Sequence, residues 1–370
     1  MDQIEKMVEP LLIWYKENGR TLPWRSDPTP YHVWVSEIML QQTRVEAVIE
    51  YYKRFMEALP SVEHLATADE DVLLKLWEGL GYYNRVRNLK KGAVMVMDEF
   101  EGRIPAEYES LLQIPGIGSY TAGAISSIAF GRPEPAVDGN VLRIVMRLTG
   151  DESDILQASV KKKVEMMIRG VIPKQEASRF NQALMDFGAT KCIPNGKPDC
   201  TTCPLKDLCT AYATDRVETL PVKTPKKSRR LEEKTVFLLE CDGKYAVRKR
   251  PKTGLLSGMW EFPNFDGKLS LKEVEALLRN MAPEGMDSAG DIELLGEGKH
   301  VFSHVEWHMR GYRLHLIKPP EGTYYAGLQE SKPFADRQTW YPSEWIWADR
   351  EEIRRSYSIP SAFKVYTEQL

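Results

Sequence analysis

The chain has 370 residues, of which 42% are hydrophobic and 28% are charged. This length predicts two or three domains with separate cores, and the composition is that of a soluble globular protein. A formal net charge of −3 argues against a protein that binds polyanions through a uniformly basic surface, although it allows a local basic groove. No apolar run approaches the ~18 residues of a membrane span and the N-terminus does not resemble a secretory signal, so we expect a cytoplasmic protein.

The N-terminal part of the chain predicts helices. Residues 1–30 indicate one helix followed by a loop, and residues 33–57 carry a single long helical pattern. Near the start of that pattern, Glu37 stands where an apolar residue is expected. It could lie on an exposed shoulder of the helix, or it could be a buried carboxyl with a pKa raised enough to hold a proton near neutral pH. The stretch itself leaves both open.

Residues 61–101 predict two further helices, the first of which stops at Gly79-Leu80-Gly81. The stop is followed by Tyr82-Tyr83 and then by Arg85 and Arg87. Paired aromatic rings beside arginines suit a loop that stacks on bases and contacts phosphates. The alternative, which this stretch favours when taken alone, is a tyrosine pair that fills core space beside solvated arginines.

The stretch from Leu111 to Arg143 contains a Pro-Gly-Ile-Gly turn between two predicted helices. Gly116 and Gly118 allow positive φ and a close approach to a partner. The amides after them open a helix and suit an anionic ligand such as a phosphate. A turn-rich loop then delivers Asp138 to the start of another helix.

Four of the five cysteines, Cys192, Cys200, Cys203 and Cys209, lie close together. They are separated by seven, two and five residues. Such clustering favours a metal or metal–sulfur site over disulfides. Zinc and a cubane iron–sulfur cluster are both compatible with the spacing.

Residues 214–234 are rich in Lys, Arg and Pro and predict an exposed linker, whose basic run could also contact nucleic acid or hold repair and replication proteins. After residue 234 the pattern changes to period two, with a hairpin turn at Asp242-Gly243 and one helix at 269–282, which predicts an α+β domain. The histidines at 300, 304 and 308 fall in predicted strands and a loop, where their spacing would not converge on a metal.

Several motifs together identify a family: SEIMLQQTRVE, WEGLGYYNRVRNL, IPGIGSYTAGA, PAVDGNV, FNQALMDFGA and the cysteine cluster. They closely resemble the MutY family of adenine DNA glycosylases, in the endonuclease III-like helix-hairpin-helix superfamily. The match runs from about Leu22 to Cys209 and continues in GLLSGMWEFP (254–263) and Phe302-Ser303-His304, which are typical of the family's Nudix-like C-terminal domain.

The resemblance implies a multi-domain fold. A mainly α helix-hairpin-helix glycosylase domain would span 1–213, with a six-helix module at about 29–133 and a cluster module at about 1–28 and 134–213. A Nudix-like, α+β domain that recognises 8-oxoguanine would span 235–370, after the linker. The four cysteines would hold a [4Fe-4S] cluster, and the protein is expected to be a monomer without membrane contact.

The reaction implied by the resemblance is base excision repair of duplex DNA that contains adenine opposite 8-oxoguanine or guanine. The adenine would be flipped into a pocket, where Glu37 protonates it as a general acid. Asp138 would stabilise the oxocarbenium ion, and Asn140 and Tyr120 would orient Asp138 and line the sugar site.

Other family positions concern binding. The adenine pocket is expected to contain Arg20, Trp24, Gln182 and Met185. The group around the opposite 8-oxoguanine is expected to contain Gln42, Thr43, Leu80, Tyr82 and Ser303, with Tyr82 as a stacking wedge. Further DNA-binding residues are expected at Leu22, Arg25, Arg85, Arg87, Gly116, Gly118, Phe302 and His304.

Three departures from related proteins narrow the prediction. Tyr120 occupies the place of the Schiff-base lysine of endonuclease III-type lyases, which disfavours a glycosylase/lyase for oxidised pyrimidines. Asn264-Phe265 replaces the usual Gly-Gly of Nudix hydrolases and no Arg-Glu-x-x-Glu-Glu run follows, so pyrophosphate hydrolysis is not expected. The spacing between Cys192 and Cys200 is one residue longer than the family's usual six. The remaining alternative is a non-catalytic DNA-damage binding protein, against which the presence of both Glu37 and Asp138 argues.

Overall fold

The computed structural model describes residues 2–225, 228–281, 289–316 and 345–370. The chain packs into two units. The first, here called the helical unit, contains Met1–Ala68 and Asn84–Lys226. The second, here called the sheet unit, contains Asp69–Tyr83 and Lys227–Leu370.

Helices form nearly all the regular structure of the helical unit. In chain order they are α1 (Asp2–Lys6), α2 (Val8–Asn18), α3 (Pro23–Ser26), α4 (Pro30–Leu40), α5 (Val45–Ala58), α6 (Val62–Thr67), α8 (Asn84–Glu99), α9 (Tyr108–Leu111), α10 (Ser119–Ile128), α11 (Gly139–Thr149), α12 (Ala158–Val171), α13 (Ala177–Thr190) and α14 (Thr210–Ala213), while α7 (Glu70–Leu76) belongs to the sheet unit. Where the structure is described, none of the helices is long and apolar enough to cross a membrane.

Helix α11 lies at the centre of one core of the helical unit. Buried side chains on every side of it, from Val141 to Leu148, pack with apolar residues of α1, α12 and α13. Asp138 caps its N-terminus, and Gly150 ends it in the left-handed conformation at φ 71°. Asp138 is thereby attached to one of the most deeply buried helices of the unit.

The single long helix predicted for residues 33–57 is wrong. The structure has two helices, α4 and α5, separated at Gln41–Arg44, and Gln42 has φ 59°. The cause is a long-range contact: the Arg85 guanidinium donates hydrogen bonds to the carbonyl oxygens of Ile38, Met39 and Gln41. These carbonyls at the end of α4 are therefore satisfied without a continuing helix.

Other element boundaries also differ from the predictions. The range 61–101 contains three helices instead of two, because Asp69 caps a separate α7 by accepting hydrogen bonds from the amides of Asp71 and Val72. The loop after α2 contains the short helix α3. The helix before the Pro-Gly-Ile-Gly turn is only the four-residue α9.

The sheet unit is built on a mixed sheet. Its described strands are β1 (Arg230–Cys241), β2 (Lys244–Lys249), β3 (Trp260–Glu261), β4 (Asn264–Asp266), β5 (Ala289–Val301), β6 (Val305–Leu316) and β7 (Trp345–Asp349). Besides α7, its described α-helices are α15 (Leu271–Met281), α16 (Arg350–Ser356) and α17 (Lys364–Thr367). The order is β3-β2-β1-β6-β5, with β4 paired to β1 and β7 to β2. Only the β1–β6 pair is parallel among these.

Strand β1 is buried on both faces, because Val236 and Leu238 enter one apolar core while Phe237 and Leu239 enter another. The predicted hairpin at Asp242-Gly243 is confirmed by the pairing of β1 with β2 and by positive φ at both turn residues. The helix predicted at 269–282 corresponds to α15.

The exposed linker predicted for 214–234 is wrong at both ends. Leu220 is buried, and its carbonyl accepts a hydrogen bond from Arg147 Nε at 2.9 Å. The carbonyl of Val222 accepts the amide of Ile155 at 3.2 Å. Residues up to about 224 therefore pack on the helical unit, and 230–234 are already part of β1. Residues 226 and 227 lie outside the described residues.

Candidate active site

A cavity of about 710 Å³ opens in the helical unit. Its walls come from the loop before α3 and from α3, α4, α10, α11 and α13, which are far apart in the chain. The predicted site residues that line it are Arg20, Leu22, Trp24, Arg25, Glu37, Gln42, Thr43, Gly118, Tyr120, Asp138, Asn140, Gln182 and Met185. The fold thus gathers the predicted catalytic residues and the predicted adenine-pocket residues around one space.

Glu37 is a buried carboxyl at this cavity, with 4% of its surface exposed. The Tyr120 hydroxyl donates a hydrogen bond to Glu37 Oε2 at 2.6 Å. Burial raises the pKa of Glu37 to about 7, against the opposing effects of the Tyr120 hydrogen bond and the charge of Arg25, while Asp138 raises it further. The buried alternative is therefore confirmed, and the exposed-shoulder alternative is wrong.

Tyr120 remains a hydrogen-bond donor under all relevant conditions. Burial and the charge of Glu37 raise the pKa of its phenol well above the usual value. The residue lies in the first turn of α10, directly after the Pro-Gly-Ile-Gly turn. Position 120 therefore carries a neutral hydroxyl that donates a hydrogen bond to a carboxyl.

Asp138 is surrounded by donors to its charged form. One carboxylate oxygen accepts the amides of Asn140 and Val141 at 2.8 and 2.9 Å, and the other accepts Asn140 Nδ2 at 2.7 Å. The pKa of Asp138 is raised overall, because burial outweighs the opposing effects of these hydrogen bonds and of the charge of Arg143. A helix N-terminus also favours a negative charge. The cavity therefore contains one carboxyl suited to hold a proton and one suited to carry a charge, which is the arrangement of acid-catalysed glycoside cleavage.

Asn140 is itself held by Arg143, which the sequence reasoning missed. Arg143 is 4% exposed, and its Nη2 donates to Asn140 Oδ1 at 2.9 Å and to the Gly188 carbonyl at 2.6 Å. Its Nε donates to the carbonyl of Cys192 at 2.8 Å. One guanidinium therefore connects the Asp138 cap to the first cysteine of the cluster. The sequence feature that could have identified this role is an arginine within the apolar pattern of α11.

Asn181 was also missed. Its side chain is fully buried, and it accepts the amide of Ala136 at 3.1 Å while donating to the Glu134 carbonyl and to Ser127 Oγ at 2.8 Å each. These contacts fix the loop that leads to Asp138. Nothing in the local pattern of α13 indicated this, because each partner lies about 50 residues away.

Asp186 is the third missed residue. It lies in α13 with no exposed side-chain surface, and it binds both Arg20 and Arg25. Five hydrogen bonds reach its two carboxylate oxygens from these arginines, including the Arg20 amide. The cavity-lining guanidinium groups therefore have a fixed and buried partner.

The glycines of the hairpin have different conformations. Gly116 has φ 83°, and a Cβ there would come within 2.8 Å of Asn88 Cβ. Gly118 is extended at φ −98°, so the predicted positive φ is right for the first glycine and wrong for the second. Gly118 precedes α10 without a side-chain cap, and a Cβ there would meet no atom within 4 Å. The backbone at the start of α10 is thus open to a ligand.

The loop that contains Tyr82 and Tyr83 has one tyrosine in each of the two predicted environments, the core and the exposed surface. Tyr83 is buried and accepts a hydrogen bond from the Gly79 amide, as a core residue does, whereas Tyr82 is 48% exposed with φ 48°. Leu80 is 6% exposed. Arg85 donates to the three carbonyls at the end of α4 described above, and its contact with phosphate stays a prediction. Arg87 lies half-buried on α8.

The turn at Phe302-Ser303-His304 lies between β5 and β6 of the sheet unit. The Phe302 ring packs edge-on against Trp307 at 4.9 Å between centroids, and its amide donates to the Val305 carbonyl. Arg229 Nε donates to the Phe302 carbonyl at 3.1 Å. Ser303 and His304 are exposed on this anchored turn. His300 and His308 lie in β5 and β6, as the period-two pattern predicted.

Glu261 occupies the place after Trp260 in the Nudix-like motif, and it is buried. Its carboxylate pairs with Arg248 at 2.9 Å and also with Arg250. Asn264 Nδ2 donates to the same group at 2.8 Å. Both oxygens are therefore occupied by protein donors, which is a structural arrangement and not a magnesium site.

The four clustered cysteines are free thiols that line one cavity with Ile144, Arg147, Leu148, Phe187 and Leu205 among its other walls. Arg147 Nη1 donates to Cys192 Sγ at 3.3 Å and to the Ile193 carbonyl at 3.0 Å. Four thiols around one mainly apolar space, with a cation at one sulfur, fit the donor set of an iron–sulfur cluster. The fit concerns the kind and number of donors: within the described ranges, no three His, Cys, Asp or Glu side chains, these thiols included, converge on a metal ion, so the cluster stays a prediction.

Family models match both units. Residues 35–169 match the HhH-GPD superfamily of base excision DNA repair proteins, and residues 235–369 match the NUDIX domain. Among solved structures, a thermostable thymine-DNA glycosylase has a TM-score of 0.53 at 28% identity, covering 58% of this chain and 98% of that one. Endonuclease III trapped in a covalent intermediate with DNA gives 0.50 at 27%, covering 58% and 97%.

Curated relatives extend across both units. The adenine DNA glycosylase of Buchnera aphidicola subsp. Schizaphis graminum is 38% identical, over 87% of this chain and 89% of the relative. The adenine DNA glycosylase of Mus musculus is 35% identical, over 86% of this chain and 72% of the relative. With two carboxyls in one cavity beside the hairpin, the chain therefore belongs to the adenine DNA glycosylase family of base excision repair enzymes, and it joins a helix-hairpin-helix glycosylase fold to a Nudix-like sheet domain.

Proposed function

We propose that the protein hydrolyses the N-glycosidic bond of adenine paired with 8-oxoguanine or guanine in duplex DNA. The observation that carries this proposal is the pair of Glu37 and Asp138 at one cavity, with a neutral hydroxyl at position 120. A base must leave the stack to reach such a cavity. The lining by Trp24, Gln182 and Met185 offers an aromatic face, an amide and a thioether to a flipped adenine.

Glu37 acts as the general acid in this proposal. Adenine is a poor leaving group as an anion, so the bond breaks only when a ring nitrogen gains a proton. A pKa of about 7 allows Glu37 to be protonated in a substantial fraction of molecules at neutral pH. Tyr120 keeps the carboxyl in one orientation through its hydrogen bond to Oε2.

Asp138 stabilises the positive charge that develops on the sugar as the base departs. Its carboxylate is held in place by the start of α11 and by Asn140, so it needs no reorganisation during the reaction. Water then completes the hydrolysis. No amine stands at position 120 to form a Schiff base, and strand cleavage is therefore not part of the proposed activity.

The cysteines Cys192, Cys200, Cys203 and Cys209 are proposed to hold a [4Fe-4S] cluster, which would order the loop between α13 and α14 beside Arg147 and Arg143. The donor set supports this, and the extra residue between Cys192 and Cys200 falls in a Pro/Gly loop that can absorb it. Brown protein with four irons per chain would support the cluster. Colourless protein with one zinc per chain would overturn it.

The sheet unit is proposed to read the opposite base, with Ser303 and Tyr82 as its exposed contributors. An enzyme that removes a normal base needs this second check. Glu261 is enclosed by Arg248 and Arg250, so the sheet unit is not proposed to hydrolyse diphosphates.

The proposal is tested by base release from three duplexes that differ in one base: A:8-oxoguanine, A:G and A:T. We expect free adenine from the first two and none from the third under single-turnover conditions. Equal release of adenine from A:T, or no release from A:8-oxoguanine and A:G, would overturn the assigned substrate.

A further inference from the structure

The cavity that contains Glu37 is also lined by two arginines, Arg20 and Arg25. A cation beside a carboxyl favours loss of the proton. Indeed, the charge of Arg25 acts to lower the pKa of Glu37. Burial outweighs this effect, and any group that reduces the charge of Arg25 at Glu37 helps burial to keep the proton on the general acid.

Asp186 is positioned to reduce the charge of Arg25 at Glu37. Its Oδ1 accepts Arg20 Nε at 2.9 Å, Arg20 Nη2 at 2.6 Å and Arg25 Nη2 at 2.9 Å. Its Oδ2 accepts Arg25 Nη1 at 2.7 Å and the Arg20 amide at 2.9 Å. Arg25 Nη1 also donates to the Arg20 carbonyl at 3.0 Å. Both guanidinium groups are therefore turned toward α13 through bonds to one carboxylate.

Asp186 and Arg25 both stay charged in this network. Burial raises the pKa of Asp186, but the hydrogen bonds and charges of Arg25 and Arg20 outweigh it and the pKa is lowered overall. Burial lowers the pKa of Arg25, and the bonds and charge of Asp186 more than compensate. The network therefore carries a net charge of about +1, the sum of two guanidinium groups and one carboxylate.

The other groups around Glu37 cannot replace Asp186. The titratable groups that act on it are Tyr120 from α10, Arg25 from α3 and Asp138 at the start of α11. Arg20 and Lys161 line the same cavity, and the residue of α5 that lines it, Val45, is apolar. From α8, Arg85 donates to the carbonyl oxygens at the end of α4. Asp138 is the one further carboxylate among them, and it is held by its own helix N-terminus. Tyr15, which faces Arg25, is neutral because burial raises its pKa.

We propose that Asp186 is a positioning residue for adenine excision: it holds Arg20 and Arg25 away from Glu37 and neutralises half of their charge, so that Glu37 keeps its proton at neutral pH. Asp186 does not itself line the cavity and acts only through the arginines. This inference rests on the proposed role of Glu37 as the general acid. Without Asp186, the charge of Arg25 would be uncompensated beside Glu37 and would favour its ionised form.

The test is the pH dependence of the single-turnover rate on an A:8-oxoguanine duplex, between about pH 5 and 9 at constant ionic strength. In the wild-type enzyme the rate should fall as pH rises through the pKa of Glu37. In Asp186→Asn the pH at which the rate falls should be about one unit lower than in the wild type. The rate of the variant should therefore be about tenfold lower than the wild-type rate above neutrality and should approach it near pH 5.

Four further variants separate electrostatics from folding. Asp186→Glu keeps the negative charge, so the rate of this variant should fall at the same pH as the wild-type rate. In Arg25→Gln the rate should fall at a higher pH than in the wild type. The double variant Arg25→Gln/Asp186→Asn restores the net charge of the network, so its rate should fall near the wild-type pH even if the maximal rate is lower. Asp151→Asn removes an Asp that pairs with Lys163 and does not line the cavity, so it should leave the profile unchanged.

The outcomes are separable. If Asp186→Asn lowers the rate by the same factor at every pH, or if Arg25→Gln fails to move the fall, the inference is overturned while the proposed function stands. If the wild-type enzyme releases no adenine, or if its rate does not fall through neutral pH, the proposed role of Glu37 is overturned first.

Discussion

The buried carboxyl of Glu37 gives the site a chemical function at a cost in folding stability. Its pKa is raised from 4.5 to about 7 in the folded chain, mainly by burial. The folded chain therefore binds more protons than the unfolded chain between these values. Stability must fall as pH rises from 4.5 to about 7, and stay reduced above that, by about 3 kcal/mol at about 1.4 kcal/mol per pH unit.

The replacement Glu37→Gln should remove this penalty. Glutamine can still accept the Tyr120 hydrogen bond, but it has no charge to bury. We expect the variant to unfold several degrees higher than wild type at pH 8, with the difference disappearing near pH 4.5. Thermal unfolding at both pH values checks this, and a difference of equal size at both would contradict the buried-acid explanation.

Gly188 provides a second residue-scale prediction. A Cβ at this position would lie 2.5 Å from Asn140 Cβ, so Gly188→Ala must displace the residue that holds Asp138. We expect at least a tenfold loss in the rate of base release. Gly170→Ala is the matched control, because it is an exposed glycine of α12 where a Cβ meets nothing within 4 Å. Equal activity of both variants would show that Asn140 does not need its present position.

Residue-scale prediction from sequence succeeded where a side chain contradicted its local pattern. Glu37 was visible as a carboxyl within an apolar run, and Asp138 as an acidic residue before a helix. Asn181 and Asp186 were not visible, because a buried polar side chain is explained only by its partners, and these lie in other elements. The local sequence of α13 does not indicate that Asn181 contacts Ala136 or that Asp186 contacts Arg20 and Arg25.

At the scale of elements, the end of α4 determines where the active-site wall stops. Arg85 supplies donors to three carbonyls there, and Arg85→Ala would leave them without these donors. A cost of about 2–3 kcal/mol in unfolding free energy is expected. Arg179→Ala, which removes an exposed ion pair with Glu176 at 2.9 Å, should change stability by no more than about 0.5 kcal/mol. Denaturant unfolding of both variants measures this difference, and similar values for the two would contradict the assigned role of Arg85.

Elements were predicted well where the pattern was local and poorly where tertiary contacts decided the boundary. The hairpin at Asp242-Gly243 and the start of α11 depend on turn and cap chemistry within a few residues. The break between α4 and α5 depends on Arg85, which is more than 40 residues away, and no period in the local sequence marks it. Positive φ was predicted for both glycines of the Gly116–Gly118 turn, and only Gly116 has it.

At the scale of the whole molecule, a helical and a sheet unit could be expected because the hydrophobic period changes after residue 234. The assignment of Asp69–Tyr83 to the sheet unit differs from the predicted helical domain at 1–213. The extent of the linker could not be predicted. Its basic and Pro-rich composition suggested solvation, whereas Leu220 is buried and the strand already begins at Arg230. Composition describes average exposure, and it does not register single backbone contacts such as the one between Arg147 and Leu220.

The exposed turn of the sheet unit carries the proposed check of the opposite base. Phe302 is fixed by Trp307 and Arg229, so Ser303 is presented on a rigid support. Ser303→Ala should lower the preference for A:8-oxoguanine over A:G by several-fold, the value of one hydrogen bond, with little change in thermal stability. Ser361→Ala, an exposed serine elsewhere in the unit, should leave the preference unchanged. An unchanged ratio in Ser303→Ala would remove this turn from base recognition.

The most direct test of the two-carboxyl mechanism is single-turnover release of adenine from an A:8-oxoguanine duplex by wild type, Glu37→Gln and Asp138→Asn. Each variant removes one ionisable group while keeping its shape and a hydrogen-bonding oxygen. We expect the rate to fall by at least a hundredfold in each, since a positioned acid and a charged stabiliser typically contribute that much. Near wild-type rates in both variants would show that the cavity does not cleave the glycosidic bond by this mechanism.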